Sequence, residues 1–180
     1  VDAAIERLNL KGIGLSGFIM ETFPSVGGQI IPPKGYLEQL KSLAQEIGAV
    51  LIFDEITSGY RMCAGGLHRI YGVYPDIAVF AKAMSNGYAM SAVLGTENVM
   101  ESAQSTFISS TFWTERIGPV AALKTLEVME KTKPWEMIAQ MGKETRSRWD
   151  DLAKKYGLGI SHWGLTAIPG FSFNSINAAA

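Results

Sequence analysis

The stretch that decides the fold is residues 49–61, which read AVLIFDEITSGYR. Five apolar residues, 49–53, predict a short strand that is buried on both faces. This strand ends at two adjacent carboxylates, Asp54 and Glu55. Ligands of open α/β sheets bind at the carboxyl ends of the strands, so we expect a binding site here. The alternative for Asp54 is a simple cap on the turn that follows.

Other apolar runs alternate with amphipathic stretches along the chain. Strands are predicted at 17–20, with Glu21 at the end, and at 76–82 and 90–96. A helix is predicted from Tyr36, because apolar residues recur at helical spacing up to Gly48, which has the place of a C-cap. Two longer helices are predicted near 115–131 and 134–156. This alternation predicts an α/β fold with a mainly parallel sheet.

Composition narrows the function classes. The 180 residues carry 16 basic and 17 acidic side chains, so we expect neither a nucleic-acid surface nor a polybasic membrane patch. No apolar stretch reaches the roughly 18 residues that span a bilayer. The single cysteine, Cys63, excludes an intrachain disulfide and fits a cytoplasmic location. His68 and His162 lack metal-ligand spacing, so we expect structural or surface roles and no metal.

The predicted strand 76–82 ends at Lys82, and a lysine there has two interpretations. It can reach solvent along its aliphatic stem, which is the usual outcome. It can also face the same crevice as Asp54, because parallel strands end on one edge of a sheet. A desolvated lysine is a nucleophile for carbonyls. A strand ending in Asp-Glu also occurs in P-loop ATPases. No G-x-x-x-x-G-K-[ST] motif is present, but a fragment could have lost it, so a P-loop ATPase fragment stays a remote alternative.

Four segments resemble one known family in the right order over residues 15–131: METFPSVGGQIIPPKGYL, LIFDEITSGYR, PDIAVFAKAMSNGYAMSAVLG and SSTFWTERIGPVAALKTLEVME. They are similar to the class III aminotransferases of pyridoxal-phosphate fold type I, most of all to the branch resembling glutamate-1-semialdehyde aminomutase. The resemblance implies a partial, three-layer large domain. Residues 1–156 would form its second half, and 157–180 would begin the small C-terminal domain.

The resemblance also implies site residues and pyridoxal phosphate (PLP) as cofactor. Lys82 stands at the position of the catalytic Schiff-base lysine, and Asp54 at that of the aspartate that pairs with the pyridine nitrogen. Ile56 would pack on the cofactor ring, and Thr57 would lie near the phenolic oxygen. Thr111 matches a threonine that reaches the cofactor phosphate of the neighbouring subunit, so the resemblance implies a homodimer with shared active sites.

Several expectations leave alternatives open. Thr111 could instead be a turn or N-cap hydroxyl ahead of the helix that follows. Thr114 could compete for the phosphate, because the segment from Trp113 departs from the family's turn. Glu21 matches an acid near the substrate, or is a surface acid. The activity would be transfer of an amino group from an amine or amino acid to a keto or aldehyde acceptor, or an aminomutase shift within one substrate. A non-catalytic remnant is the third possibility. The chain begins with Val1, so we expect a fragment that is inactive alone.

Overall fold

Four strands form the main sheet: β1 (Gly17–Glu21), β2 (Val50–Asp54), β3 (Ile77–Phe80) and β4 (Ala92–Gly95). They lie side by side in the order β1-β2-β3-β4. The pairs β1–β2 and β2–β3 are parallel, whereas β4 runs antiparallel to β3. The predicted mainly parallel sheet is therefore confirmed. The computed structural model describes residues 3, 5–7, 11, 12, 14–25, 30–112 and 114–175.

The helices alternate with these strands. The described residues include α1 (Tyr36–Glu46), α2 (His68–Tyr71), α3 (Glu97–Met100), α4 (Ile117–Thr132) and α5 (Pro134–Lys155), together with 3-10 helices at Lys82–Ser85 and Glu101–Ser105. No helix in the described part of the chain is long and apolar enough to cross a membrane.

Helix α1 covers one face of the sheet and closes the first core. Its buried residues Leu37, Leu40 and Ala44 recur at helical spacing and meet Leu51 and Phe53 of β2. Along β2, fully buried residues alternate with half-buried ones. The prediction that this strand is buried on both faces is therefore wrong for the described chain, because only the α1 side is fully covered.

A second core lies beside β3. Ala78 and Phe80 of this strand join Met84 of the 3-10 helix and Ala122 of α4. Helix α4 approaches closely because Gly118 has no side chain: an added Cβ would lie 2.5 Å from the Ala89 carbonyl oxygen. This contact holds α4 against the segment that follows β3, where the chain carries Lys82.

The C-terminal part of the described chain forms a separate two-stranded sheet, β5 (Ile160–Trp163) with β6 (Gly170–Phe173). It lies against α5, with the rings of Trp149 and Phe171 4.9 Å apart. Arg146 of α5 donates to the carbonyl oxygens of residues 163, 164 and 165, which holds the connection between the strands. The division of the chain after residue 156 stays a prediction.

Candidate active site

The carboxyl ends of three parallel strands form one edge of the sheet. Glu21 of β1 pairs in register with Asp54 of β2, and Asp54 pairs with Val79 of β3. Lys82 follows three residues after Val79. The sheet therefore brings two predicted carboxylates and the predicted lysine to the same edge, as the strand order requires.

Lys82 differs in detail from its prediction. Strand β3 ends at Phe80, and Lys82 begins a 3-10 helix with a left-handed backbone, φ 48°. Its side chain is exposed in the described chain, so the expectation of a desolvated lysine is not met there. The Lys82 ammonium donates to the Thr57 hydroxyl at 2.7 Å. Lys82 thus points to the turn after β2, although it does not end a buried strand.

Asp54 can be both a turn cap and a ligand-binding carboxylate, the two roles that the sequence suggests. Its Oδ1 accepts a hydrogen bond from the Ile56 amide at 2.9 Å, which caps the turn after β2. Among the described residues, none donates to Oδ2. A carboxylate accepts through both oxygens. Asp54 can therefore cap the turn with one oxygen and receive a ligand N–H with the other.

Glu21 is occupied by its own loop. Its Oε2 accepts from the Ser25 amide at 2.8 Å and from the Ser25 hydroxyl at 2.6 Å. Glu21 is half-buried and lies at the same level of the sheet as Asp54. The loop continues through residues 26–29, which lie outside the described residues. Glu21 is therefore at the correct edge, but the contacts described for it shape the loop.

Thr111 lies in an exposed turn before α4. Of its alternative as a turn or N-cap hydroxyl, the structure agrees with the turn but not with the N-cap, because Glu115 binds the first amides of the helix. The Glu115 carboxylate accepts from the Ile117 amide at 2.5 Å and from the Gly118 amide at 3.2 Å. Thr114 is also exposed, and Trp113 lies outside the described residues. Both threonine hydroxyls remain open to solvent.

A buried carboxylate beside Asp54 is the feature that sequence reasoning missed. Glu55 has no exposed surface. It accepts from the Ser58 hydroxyl at 2.5 Å, the Leu67 amide at 3.0 Å, the His68 amide at 2.9 Å and the His68 ring Nδ1 at 2.8 Å. We call Glu55, Ser58, Leu67 and His68 the Glu55 network. The only sequence signal was the second acid of Asp-Glu, because its partners lie up to 13 residues away.

Two opposed effects set the pKa of Glu55. Burial raises it, whereas the hydrogen bonds from His68, Ser58 and the backbone amides lower it, and the net pKa is below its ordinary value. The carboxylate is therefore charged at neutral pH. Because an ionised carboxylate only accepts hydrogen bonds, the His68 ring donates through Nδ1.

The two histidines have structural partners, as predicted. His68 is buried in the Glu55 network, and His162 Nε2 lies 2.7 Å from Asp150 Oδ1. Within the described ranges, no group of three or more His, Cys, Asp or Glu side chains could hold a metal ion.

Comparison with known proteins identifies the family. Residues 2–162 match the family described as Aminotransferase class-III. The chain belongs to the class-III aminotransferases. It is 37% identical over 154 residues to the 3-aminobutyryl-CoA aminotransferase of Cloacimonas acidaminovorans, a match that covers 84% of the chain and 37% of that protein.

A second curated relative and a solved structure are also similar, and the solved structure bears on the fold. The glutamate-1-semialdehyde 2,1-aminomutase of Hyperthermus butylicus is 30% identical over 159 residues, covering 86% of the chain and 37% of that protein. The PLP-form structure of the FumI protein of Sphingopyxis sp. MTA144 superposes with a TM-score of 0.88 at 22% identity, covering 97% of the chain and 42% of that protein. The chain thus spans 37% of the length of these curated relatives. The predicted partial PLP-transferase large domain is confirmed.

The side chains at the sheet edge fit the cofactor that this class-III family uses. PLP needs an amine to hold its aldehyde, an acceptor for its ring nitrogen and polar groups for its oxygens. Lys82 supplies an exposed amine, Asp54 a carboxylate oxygen and Thr57 a hydroxyl beside the amine. Ile56, which is half-buried, supplies an apolar surface next to Asp54. Each of these four side chains has chemistry that suits the part of PLP it would meet.

Proposed function

We propose that this protein is a PLP-dependent aminotransferase that moves an amino group from an amine or amino acid to a keto or aldehyde acceptor. The observation that carries the proposal is that Asp54 ends β2 and Lys82 follows the adjacent parallel strand β3, with the Lys82 ammonium 2.7 Å from the Thr57 hydroxyl. Membership of the class-III family decides against the P-loop ATPase alternative.

Each residue has a separate task in this proposal. PLP supplies an electron sink for a carbanion at the substrate carbon. Asp54 would accept the ring N–H through the oxygen that does not cap the turn, and its negative charge would favour the protonated ring. Lys82 would hold the cofactor through its amine, and the same amine, once free, would be placed to move a proton at the substrate carbon. Ile56 excludes water from one ring face.

Thr57 would act through Lys82 and through the phenolic oxygen of the cofactor. Its hydroxyl accepts from the ammonium, so it orients this amine toward the end of β2. When the amine is not available, the same hydroxyl can serve the cofactor oxygen. Glu21, on the same edge as Asp54, would contribute to the substrate side through the loop that Ser25 closes.

Thr111 supports a homodimer with shared sites. Its turn is exposed, as are Phe107 and Phe112 nearby, with 94% and 77% of their surface accessible. Large exposed aromatic side chains are typical of interaction surfaces. We propose that this segment reaches the cofactor phosphate of a second subunit. Measurement of the molar mass in solution checks the dimer: a monomer that binds the cofactor stoichiometrically and turns over substrate would contradict it.

The deciding experiment maps the cofactor onto a lysine. The protein encoded by the complete gene, here called the full-length protein, is incubated with PLP, reduced with borohydride and digested. The pyridoxyl mass is expected on Lys82. Lys124 is the matched control, because it is exposed and pairs with Glu127 at 2.9 Å. A label on Lys124 in place of Lys82 would sink the assignment.

Turnover then separates an active transferase from a non-catalytic remnant. The first amine to test is 3-aminobutyryl-CoA, because the 37% identical relative carries that name. Cofactor on Lys82 without loss of the amine from any donor would indicate a remnant. The isolated 180 residues are expected to bind cofactor incompletely and to lack turnover, which the same assays measure.

An aminomutase is the second candidate, because a relative of 30% identity is a glutamate-1-semialdehyde 2,1-aminomutase. The two activities differ in their need for an acceptor. A transferase releases a carbonyl product and needs a keto or aldehyde acceptor to turn over again, whereas an aminomutase returns the amine to a neighbouring carbon of the same substrate. Isomerisation of glutamate-1-semialdehyde without an added acceptor would favour the aminomutase.

A further inference from the structure

Glu55 carries a buried charge, which is unfavourable unless hydrogen bonds replace its hydration. A carboxylate without exposed surface loses its hydration, and this loss must be offset by hydrogen bonds. Four donors surround it, and three of them come from Leu67 and His68, which begin helix α2. The chain thus uses a buried charge to hold a loop 12 residues downstream next to the end of β2.

The backbone of Glu55 is also fixed at both ends. Its amide donates to the Val79 carbonyl oxygen of β3 at 2.9 Å, and its carbonyl oxygen accepts from the Gly59 amide at 2.8 Å. The residues on either side of Glu55 are Asp54 and Ile56. Any rotation of Glu55 about its backbone therefore changes the direction of these two neighbours.

The turn after β2 depends on the same contacts. Ser58 donates to the Glu55 carboxylate, and Arg61 Nε donates to the Thr57 carbonyl oxygen at 2.6 Å. Tyr60 has a left-handed backbone, φ 62°, and its amide donates to the Gly65 carbonyl oxygen at 2.8 Å. The turn and the loop before α2 are therefore joined at two points, the Glu55 carboxylate and the Tyr60 amide.

The packing around the carboxylate leaves no room for adjustment. A Cβ added at Gly66 would lie 2.8 Å from Glu55 Oε1 and would also overlap the His68 ring. A Cβ at Gly59 would lie 2.9 Å from the Phe80 ring. Close contacts of this kind specify one arrangement of the turn, because alternatives require backbone movement.

From these contacts we infer that Glu55 is a positioning residue for the cofactor site, acting through the turn that carries Asp54, Ile56 and Thr57. Its side chain is fully buried, so it would act on the site only through its neighbours. Its buried carboxylate holds the turn against Leu67 and His68, so that Asp54 faces the ring nitrogen and Thr57 meets the Lys82 ammonium. This inference rests on the proposed function of Asp54 and Lys82.

The test compares Glu55→Gln with Glu46→Gln in the full-length protein loaded with PLP. Gln keeps the shape but replaces one carboxylate oxygen by an amide nitrogen, which then faces donors. Glu46 is the matched control, because it lies exposed at the end of α1. The readouts are the absorbance of the Lys82-bound cofactor as a function of pH, and kcat and KM separately.

We expect Glu55→Gln to move the midpoint of the absorbance titration by about 1 pH unit, because the charge at Asp54 and the hydroxyl of Thr57 are displaced. We expect kcat to fall by about 10- to 10²-fold, with a smaller change in KM, since a misplacement on the order of 1 Å is enough. Glu46→Gln is expected to keep the wild-type midpoint. His68→Asn, which keeps a donor, should stay closer to wild type than His68→Leu.

A purely structural role would lower stability without moving the midpoint in the folded variant. A folded Glu55→Gln protein with the wild-type midpoint and kcat would overturn the inference. If Glu55→Gln does not fold, Ser58→Ala decides, because it removes one donor only: a shifted midpoint supports the inference and a wild-type midpoint overturns it. Borohydride mapping of the wild type separates failure of the positioning role of Glu55 from failure of the proposed function. Absence of a label on Lys82 would refute the proposed function itself.

Discussion

Asp76 gives the sharpest test of what holds the sheet together. This residue precedes β3 and ties two other elements to it. Its Oδ1 accepts from the Lys41 ammonium of α1 at 2.6 Å, and its Oδ2 accepts from the Leu51 amide of β2 at 2.8 Å. Leu51 has no exposed surface, whereas about a quarter of the Lys41 and Asp76 side chains is accessible. The two bonds therefore differ in what their loss costs.

The magnitudes follow from these environments. A buried amide that loses its hydrogen-bond acceptor lowers the free energy of unfolding by about 1–3 kcal/mol. A partly exposed ion pair contributes about 0.2–1 kcal/mol. Asp76→Ala removes both and is expected to lower the free energy of unfolding by about 1–4 kcal/mol. Asp76→Asn keeps an oxygen for Leu51 and should lose only about 0.2–1 kcal/mol.

Urea unfolding followed by circular dichroism measures these differences, and Lys41→Met completes a double-mutant cycle. The cycle should return a coupling of about 0.2–1 kcal/mol between Lys41 and Asp76. Asp76 lies at the amino end of β3, opposite Lys82, so cofactor labelling of Lys82 should remain in Asp76→Asn. If Asp76→Asn were as costly as Asp76→Ala, the bond to Leu51 would not be the larger contribution.

The pH dependence has a definite sign. Burial raises the pKa of Asp76, but the hydrogen bonds from Lys41 and Leu51 outweigh it, so the folded pKa lies below its ordinary 3.8. A depressed folded pKa stabilises the protein above the unfolded pKa, and this contribution is lost as pH falls through the folded pKa. The penalty of Asp76→Asn should therefore be larger at about pH 7 than at about pH 2. An equal penalty at both would contradict the ionic contribution.

Three further changes test the site and the cores. Asp54→Ala should keep the cofactor bound but slow steady-state turnover by about 10²-fold or more, and near-wild-type kcat would contradict the electron-sink role. Phe53→Ala should lower the free energy of unfolding by about 3–5 kcal/mol in urea, because its side chain is fully buried. Met137→Ala, the exposed control on α5, should change this free energy by less than about 0.5 kcal/mol, and equal losses would contradict the burial of Phe53. Gly142→Ala should cost about 1–3 kcal/mol, measured the same way, because its Cβ would overlap the Thr166 carbonyl; a neutral change would contradict that contact.

The sequence predicts well wherever a local pattern sets the structure. The apolar positions of α1 recur at helical spacing, and Gly48 follows the helix with φ 67°, as a C-cap glycine requires. The order of strands and helices sets parallel β1, β2 and β3, and parallel strands bring Asp54 to the same edge as Glu21. These features depend on residues that are close in sequence or on rules of connection.

The same reasoning fails where the outcome depends on distant partners. The predicted strand 76–82 is longer than β3, because the chain turns after Phe80 into a 3-10 helix with Lys82 in a left-handed conformation. Nothing in the alternation of apolar residues signals that turn. Likewise, Glu115 in place of Thr111 caps α4, because the carboxylate lies two residues before the first helical amides.

The adjacent acids Asp54 and Glu55 show what a sequence motif leaves undetermined. The motif identifies the family, but it does not tell which of the two carboxylates is buried and which has an oxygen open to a ligand. Both carry the same charge and belong to the same short stretch, yet their neighbours differ. Asp54 has one oxygen without a described donor, whereas every described contact of Glu55 is made with buried or loop groups. Asp54 can therefore bind a ligand through its open oxygen, whereas the contacts of Glu55 hold the turn. Because side chains alternate direction along an extended chain, two adjacent acids at a strand end separate these tasks. The charge that we propose for cofactor binding is thus half-buried at the end of β2, and the charge that we infer to fix the turn is fully buried.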